Sequence, residues 1–77
     1  MKVKVKLMSL FAKYDKSDED GCTQIKDGGS VRDLAEELKL PMKYVRIITV
    51  NGKQADLDDA LAEGDLVYVF PPALGGG

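Results

Sequence analysis

The five residues Leu66-Val67-Tyr68-Val69-Phe70 form an unbroken apolar run that stops at Pro71-Pro72. A run this short, bounded by turn signals and rich in β-branched and aromatic residues, reads as a strand. Apolar and polar positions do not alternate along it. A strand apolar on both faces belongs in the middle of a sheet, commonly beside a parallel neighbour. The prolines then end the pairing, since neither has an N–H for a ladder bond. After Ala73 and Leu74, three glycines, Gly75-Gly76-Gly77, finish the sequence. The strand therefore releases a thin tail, and glycine has no side chain to keep it out of a narrow channel. The expectation is that the C-terminal carboxylate is itself the working group.

The remaining elements fall into place around that strand. A chain of 77 residues makes one domain with a modest core. Residues 2–8 place Val3, Val5 and Leu7 on one face and Lys2, Lys4 and Lys6 on the other, the period of a half-buried strand with a solvated lysine face. Leu10 and Phe11 follow as core or rim residues. The segment from Lys13 to Gly21 carries Asp15, Asp18, Glu19 and Asp20, is rich in turn formers and has little to bury, so it reads as a long, mobile hairpin loop. Thr23 to Lys26 is a second strand, and Asp27-Gly28-Gly29 a turn. Ser30 is placed as a helix N-cap with Asp33 three residues on, close to a capping box. Val31, Leu34, Ala35 and Leu38 make one apolar stripe, and the helix ends at or just after Lys39, ahead of Pro41. Val45 to Val50 is a third strand. Asn51-Gly52 signals a type I′ hairpin returning through Lys53-Gln54-Ala55. Leu57, Ala60 and Leu61 are expected to plug the sheet edge through a turn of helix. The economical arrangement is α+β: one mixed five-stranded sheet with one main helix packed across one face.

Composition excludes several classes of function. The formal net charge of -2 lacks the positive excess of a nucleic-acid binder. There is one cysteine, Cys22, and no histidine. That rules out an internal disulfide framework and leaves no basis for a transition-metal site or a Cys–His nucleophile pair. Cys22 reads as a small half-buried hydrophobe in a reducing compartment. The acidic segment lacks the ligand ladder of an EF-hand loop, so no metal is expected there. No apolar stretch reaches the roughly 20 residues that span a bilayer, and the N-terminus has no apolar signal-peptide core. The expected setting is cytoplasmic, without membrane or nucleic-acid partners.

The element order is that of the β-grasp, or ubiquitin-like, arrangement. The segment Gly64-Asp65, the apolar strand, Phe70-Pro71-Pro72, two variable residues and Gly75-Gly76 resembles the closing motif of the MoaD/ThiS group, the small sulfur-carrier subunits of molybdopterin synthase and their relatives. Leu10-Phe11-Ala12 resembles that group's opening. The likeness runs over the whole chain, specific at the C-terminus and loose in the middle. It implies a β-grasp domain over residues 1–70 and a flexible tail over 71–77. It further implies that the terminal glycine is adenylated by an E1-like adenylyltransferase of the MoeB/ThiF type and converted to a thiocarboxylate. ATP is consumed by that partner, and no cofactor is held by this chain. The sulfur then passes to a pterin precursor within the large catalytic subunit of molybdopterin synthase. On this sequence the carrier would be Gly77, with Gly76 and Gly75 in the channel and Phe70, Pro71 and Pro72 directing the tail. Two departures stand out: Gly77 exceeds the group's glycine pair by one residue, and the Lys13–Gly21 segment lacks the Arg-Glu pair common after the first strand.

The chemistry suits a delivered substrate rather than an enzyme. A terminal carboxylate is an anion at neutral pH and a poor electrophile, so it needs conversion to a mixed anhydride. The sequence offers no phosphate-binding glycine loop and no histidine base for that step. The seven residues beyond Phe70 reach roughly 23–25 Å when extended. Phe11, Phe70, Pro71, Pro72 and Leu74 are the expected docking residues. Two alternatives remain: sulfur carriage for thiamine thiazole or another pathway, and a ubiquitin-like modifier joined to target lysines through its terminal glycine.

Overall fold

The structure is a computed structural model and describes residues 1–71, leaving aside the side chains of Ser9 and Leu10. Its elements are β1 (Lys2–Leu7), β2 (Cys22–Gln24), α1 (Val31–Glu37), β3 (Ile47–Val50), β4 (Lys53–Ala55) and β5 (Leu66–Phe70). The five strands form one sheet in the order β2-β1-β5-β3-β4. The uninterrupted apolar run is indeed central. It pairs parallel with β1 (Val5 beside Val67, Leu7 beside Val69) and antiparallel with β3 (Ile48 beside Val69, Val50 beside Val67). This is the mixed, single-helix β-grasp that the element order implied.

The core lies between the sheet and α1. Val3 and Val5 of β1, Ile48 of β3, and Val67 and Val69 of β5 meet Val31, Leu34 and Ala35 of the helix, and Leu38 and Leu40 beyond it. The helix starts where the cap chemistry placed it. The Ser30 hydroxyl accepts a hydrogen bond from the Asp33 N–H at 3.2 Å, and the Asp33 carboxylate accepts one from the Ser30 N–H at 2.8 Å. It ends earlier than expected, at Glu37, because Lys39 turns left-handed (φ 57) between two buried leucines, Leu38 and Leu40.

Three other stretches depart from the sequence reading. Residues Ser9–Tyr14 coil into a 3-10 helix, which carries Phe11 into the core. The acidic segment that follows is a tied turn rather than a loose loop. The Asp18 carboxylate accepts from the N–H groups of Asp20 (2.9 Å) and Cys22 (3.0 Å) and faces the Lys2 ammonium at 3.4 Å. Asp15 likewise accepts from the N–H and hydroxyl of Ser17. Short Asx turns of this kind replace backbone ladder bonds where a strand cannot continue. Residues 57–61 form no turn of helix. Leu57 and Asp59 instead give their carbonyls to the N–H groups of Arg32 (2.8 Å) and Val31 (2.9 Å), satisfying two of the donors that the first turn of α1 leaves open.

Strand β3 begins at Ile47 rather than Val45, because Met42–Tyr44 forms a second 3-10 turn. The Asn51-Gly52 hairpin has both φ angles positive, 54° and 88°, as a type I′ turn requires. Asn51 does more than turn the chain. Its amide oxygen accepts from the Leu66 N–H at 3.0 Å, and its amide N–H donates to Asp65 at 2.9 Å, so the hairpin fastens the start of β5.

Two outcomes follow. Hydrogen bonding from Cys22 and Asp20 holds the Asp18 carboxyl below the usual carboxylate range, as Ser30 does for Asp33 and Ser17 for Asp15. A group whose folded pKa lies below its unfolded value stabilises the fold fully above that unfolded value and loses the contribution as pH falls through the folded one. Urea midpoints should therefore hold steady down to about pH 5 and fall below about pH 4, with a smaller acid loss in Asp18→Ala; a midpoint rising on acidification would contradict this. Separately, the Thr23 hydroxyl is buried with no hydrogen-bond partner among the described residues. Thr23→Val should be neutral or stabilising by up to about 1 kcal/mol in urea unfolding, and a clear loss would show that the hydroxyl is satisfied.

Candidate functional site: the open face of β5 and the root of the tail

Along β5 the pleat sends Val67 and Val69 into the core and Leu66, Tyr68 and Phe70 to the opposite face, where each is half-buried. The helix covers only the first of these faces. The second apolar face, the reason the run shows no alternation, has no helix over it among the described residues and is half-buried. Tyr68 and Phe70, two positions apart, stack with ring centroids 6.0 Å apart and planes 14° from parallel. Their neighbours across the sheet are fixed by register. Lys4 lies beside Leu66 and Lys6 beside Tyr68 on the β1 side, while Ile47 lies opposite Phe70 and Thr49 opposite Tyr68 on the β3 side. Cross-strand partners share a face, so these residues make one surface: an aromatic strip, a lysine row on one flank and Ile47 on the other.

The strip leads directly to the tail. Phe70 ends β5, its carbonyl accepts from the Arg46 N–H at 3.4 Å, and Pro71 follows half-buried. The end of β5 lies beside the start of β3 because the two run antiparallel. Ile47 there is 45% exposed, and in the turn leading into β3 Tyr44 is 43% and Met42 36% exposed. These are the large exposed hydrophobics among the described residues. They gather on β3 and its approach, the end of the sheet from which the tail departs.

The sequence expectations for this site divide. Phe70 ends β5 and Pro71 follows it, both half-buried. Phe11 does not belong to the docking surface. It is 0% exposed and packed in the core, because the 3-10 turn after β1 folds it under the sheet rather than out to the rim. Pro72, Leu74, Gly75, Gly76 and Gly77 lie outside the described residues. Sequence reasoning missed Tyr68, Ile47, Tyr44 and Met42 as surface residues. The signal for Tyr68 is present in the unalternating run, of which the sequence analysis names only Phe70 as a docking residue. Among the described residues, no three His, Cys, Asp or Glu side chains gather as a metal site. No described helix is long and apolar enough to cross a membrane.

The profile of the Mut7-C ubiquitin family matches residues 2–74. The chain belongs to this family. Among solved structures, a Pyrococcus furiosus protein provisionally described as molybdopterin converting factor, subunit 1, is 35% identical with a TM-score of 0.71, covering 94% of this chain and 98% of its own. SAMP1 from Haloferax volcanii superposes with a TM-score of 0.71 at 23% identity, over 99% of this chain and 100% of the other. A second structure of that protein, small archaeal modifier protein 1, gives a TM-score of 0.72 at 22% identity over 94% and 98%. These last two show a shared fold. No curated protein sequence matches significantly. The Mut7-C ubiquitin chain is thus related to a small ubiquitin-like subunit of the kind the Phe70-Pro71-Pro72 segment suggested.

The division between core and surface can be measured. Phe11→Ala should cost about 3–5 kcal/mol in urea unfolding, the range for truncating a buried aromatic residue. Ile47→Ala, on the open face, should cost less than about 1 kcal/mol. Equal costs would mean that Phe11 does not anchor the core.

Proposed function

We propose that this Mut7-C ubiquitin chain is a sulfur carrier whose terminal glycine is adenylated by an E1-like enzyme, converted to a thiocarboxylate and presented to the larger subunit of a molybdopterin synthase. The observation that carries the reading is the continuity of the open apolar strip of β5 with the root of the glycine tail. The strip can hold the body against a partner while the tail reaches away into that partner's active site. The 35% identity to a molybdopterin converting factor subunit over nearly the whole chain favours this pathway.

The steps balance without any catalytic group from this chain. A carboxylate oxygen of the terminal glycine attacks the α-phosphorus of ATP, and pyrophosphate leaves, giving an acyl-adenylate. Hydrosulfide attacks the acyl carbon, AMP leaves with the electron pair of the C–O bond, and a thiocarboxylate remains. The chain supplies reach and thinness, Gly75 and Gly76 lining the channel and Leu74 seating in a pocket of the partner. The stiff prolines, Pro71 and Pro72, lower the cost of ordering the root. Gly77 carries the carboxylate, or Gly76 does if Gly77 is removed first. The resemblance of fold to small archaeal modifier protein 1 supports a second reading, in which the same adenylate is passed to a lysine of a target protein.

Intact mass after incubation with an E1-like adenylyltransferase, ATP and sodium sulfide separates these readings. The expected product gains the mass difference of sulfur over oxygen and releases AMP. Adducts on the lysines of other proteins, without that gain, would favour the modifier reading. No ATP consumption and no mass change across several such enzymes would contradict both.

A further inference from the structure

The lysine row of β1 borders the aromatic strip, and its members are not equivalent. Lys2 faces Asp18 at 3.4 Å, and its N–H donates to the Glu63 carboxylate at 2.9 Å. Lys4 and Lys6 are exposed and have no carboxylate within ion-pair distance among the described residues. Register puts them beside Leu66 and Tyr68, so two ammonium groups flank the strip along β1. On the far side of that row stands the 15–21 turn. It shares with Lys6 a groove of about 440 Å³ that Asp15, Asp18 and Glu19 also line. Two of these acids are already engaged: Asp15 with the Ser17 hydroxyl and N–H, and Asp18 with backbone N–H groups and Lys2.

Glu63 and Asp65 stand just ahead of β5, but Glu63 accepts from the Lys2 N–H and the Asp65 carboxylate from the Asn51 amide and the Ala62 N–H; other acids lie farther from the strip. Glu36 and Glu37 stand exposed on α1, and Asp56, Asp58 and Asp59 on the turns that cap it. A chain with a formal net charge of -2 therefore shows, beside its apolar strip, two cations without a close ion-pair partner among the described residues, Lys6 acting on the Asp15 carboxylate only at longer range. Lysines in that position keep the charge in water while their stems extend the apolar surface.

We infer that Lys4 and Lys6 select the partner: the surface docking on β5 has an apolar centre for Tyr68 and Phe70, and carboxylates along the side that meets β1. This rests on the carrier reading above and adds which chemistry the activating partner must present. Complementary charge of this kind raises the association rate and fixes orientation more than it raises final affinity. The lysines therefore act on encounter, and the chemistry at the glycine carboxylate is untouched once docking is complete.

The test compares Lys4→Glu/Lys6→Glu with the parent chain, using an adenylyltransferase that activates the parent and following pyrophosphate release. A control, Lys39→Glu/Lys53→Glu, makes the same change of net charge away from the strip: Lys39 ends the helix, and Lys53 pairs with Val50, which packs on the core side. At about 50 mM NaCl the paired β1 variant should lose roughly tenfold or more in kcat/KM with kcat unchanged, and the loss should shrink severalfold near 0.5 M salt, where screening is strong. The control should stay within about twofold, and Lys4→Arg/Lys6→Arg should restore the parent value. A normal kcat/KM for the β1 variant, or an equal loss in the control, overturns the inference while leaving carriage standing. A gain would assign a basic partner surface and overturn it as well. Failure of the parent itself with every adenylyltransferase tried removes the carrier reading and this inference together. Circular dichroism and a thermal midpoint matching the parent establish that the exposed substitutions leave the fold intact.

Discussion

The structure depends on β5 being paired along both edges while only one of its apolar faces is buried. Hydrogen bonds to β1 and β3 fix it in the middle of the sheet, and Val67 and Val69 bind that sheet to α1. Its other face, Leu66, Tyr68 and Phe70, is also apolar and has no helix above it among the described residues. A small domain gains stability by covering apolar surface, and leaving such a strip half-exposed forgoes some of that gain. Apolar surface that the fold could have covered and did not is a common mark of a site for another molecule. The same strand ends at Phe70 and gives way to Pro71, so the element that holds the sheet together is also the one from which the last residues of the sequence follow.

Supporting contacts concentrate on keeping β5 in place. Asn51 ties its first residue, Leu66, through its amide oxygen and the preceding Asp65 through its amide N–H, and the Arg46 N–H reaches its last carbonyl. Phe11, swung under the sheet by the 3-10 turn, fills the core beneath β1 and β5. Asp15 and Asp18 hold the turn before β2 by accepting backbone N–H groups, so acids that read as loop solvation have a structural task.

Much of the fold was legible because the local signals agreed with one another. The Ser30–Asp33 capping box, the Asn51-Gly52 turn and the β1 alternation each had one physical solution, and β5 could only be central. The illegible parts were those decided by tertiary contacts. Phe11 reads equally as core or rim until the turn that carries it is known. Residues 57–61 look able to start a helix, yet their carbonyls are taken by the N–H groups at the start of α1. The site was legible in its direction, since the Phe70-Pro71-Pro72 segment pointed to the end of β5, but not in its breadth. Ile47 joins the surface only through its register with Phe70, and the β1 lysines gain meaning only from lying beside Tyr68. Register is a long-range property that periodicity within one strand does not encode.

The central claim is that this chain meets its partner through the uncovered side of β5 and the strands beside it. Backbone amide shifts of isotopically labelled protein, titrated with an adenylyltransferase that activates it, test this residue by residue. The account predicts that the perturbed amides fall on Lys4, Lys6, Ile47, Thr49 and Leu66 to Phe70, while Arg32, Glu36 and Glu37 on α1 stay where they were. Perturbation centred on α1, with Tyr68 and Phe70 unmoved, would contradict it.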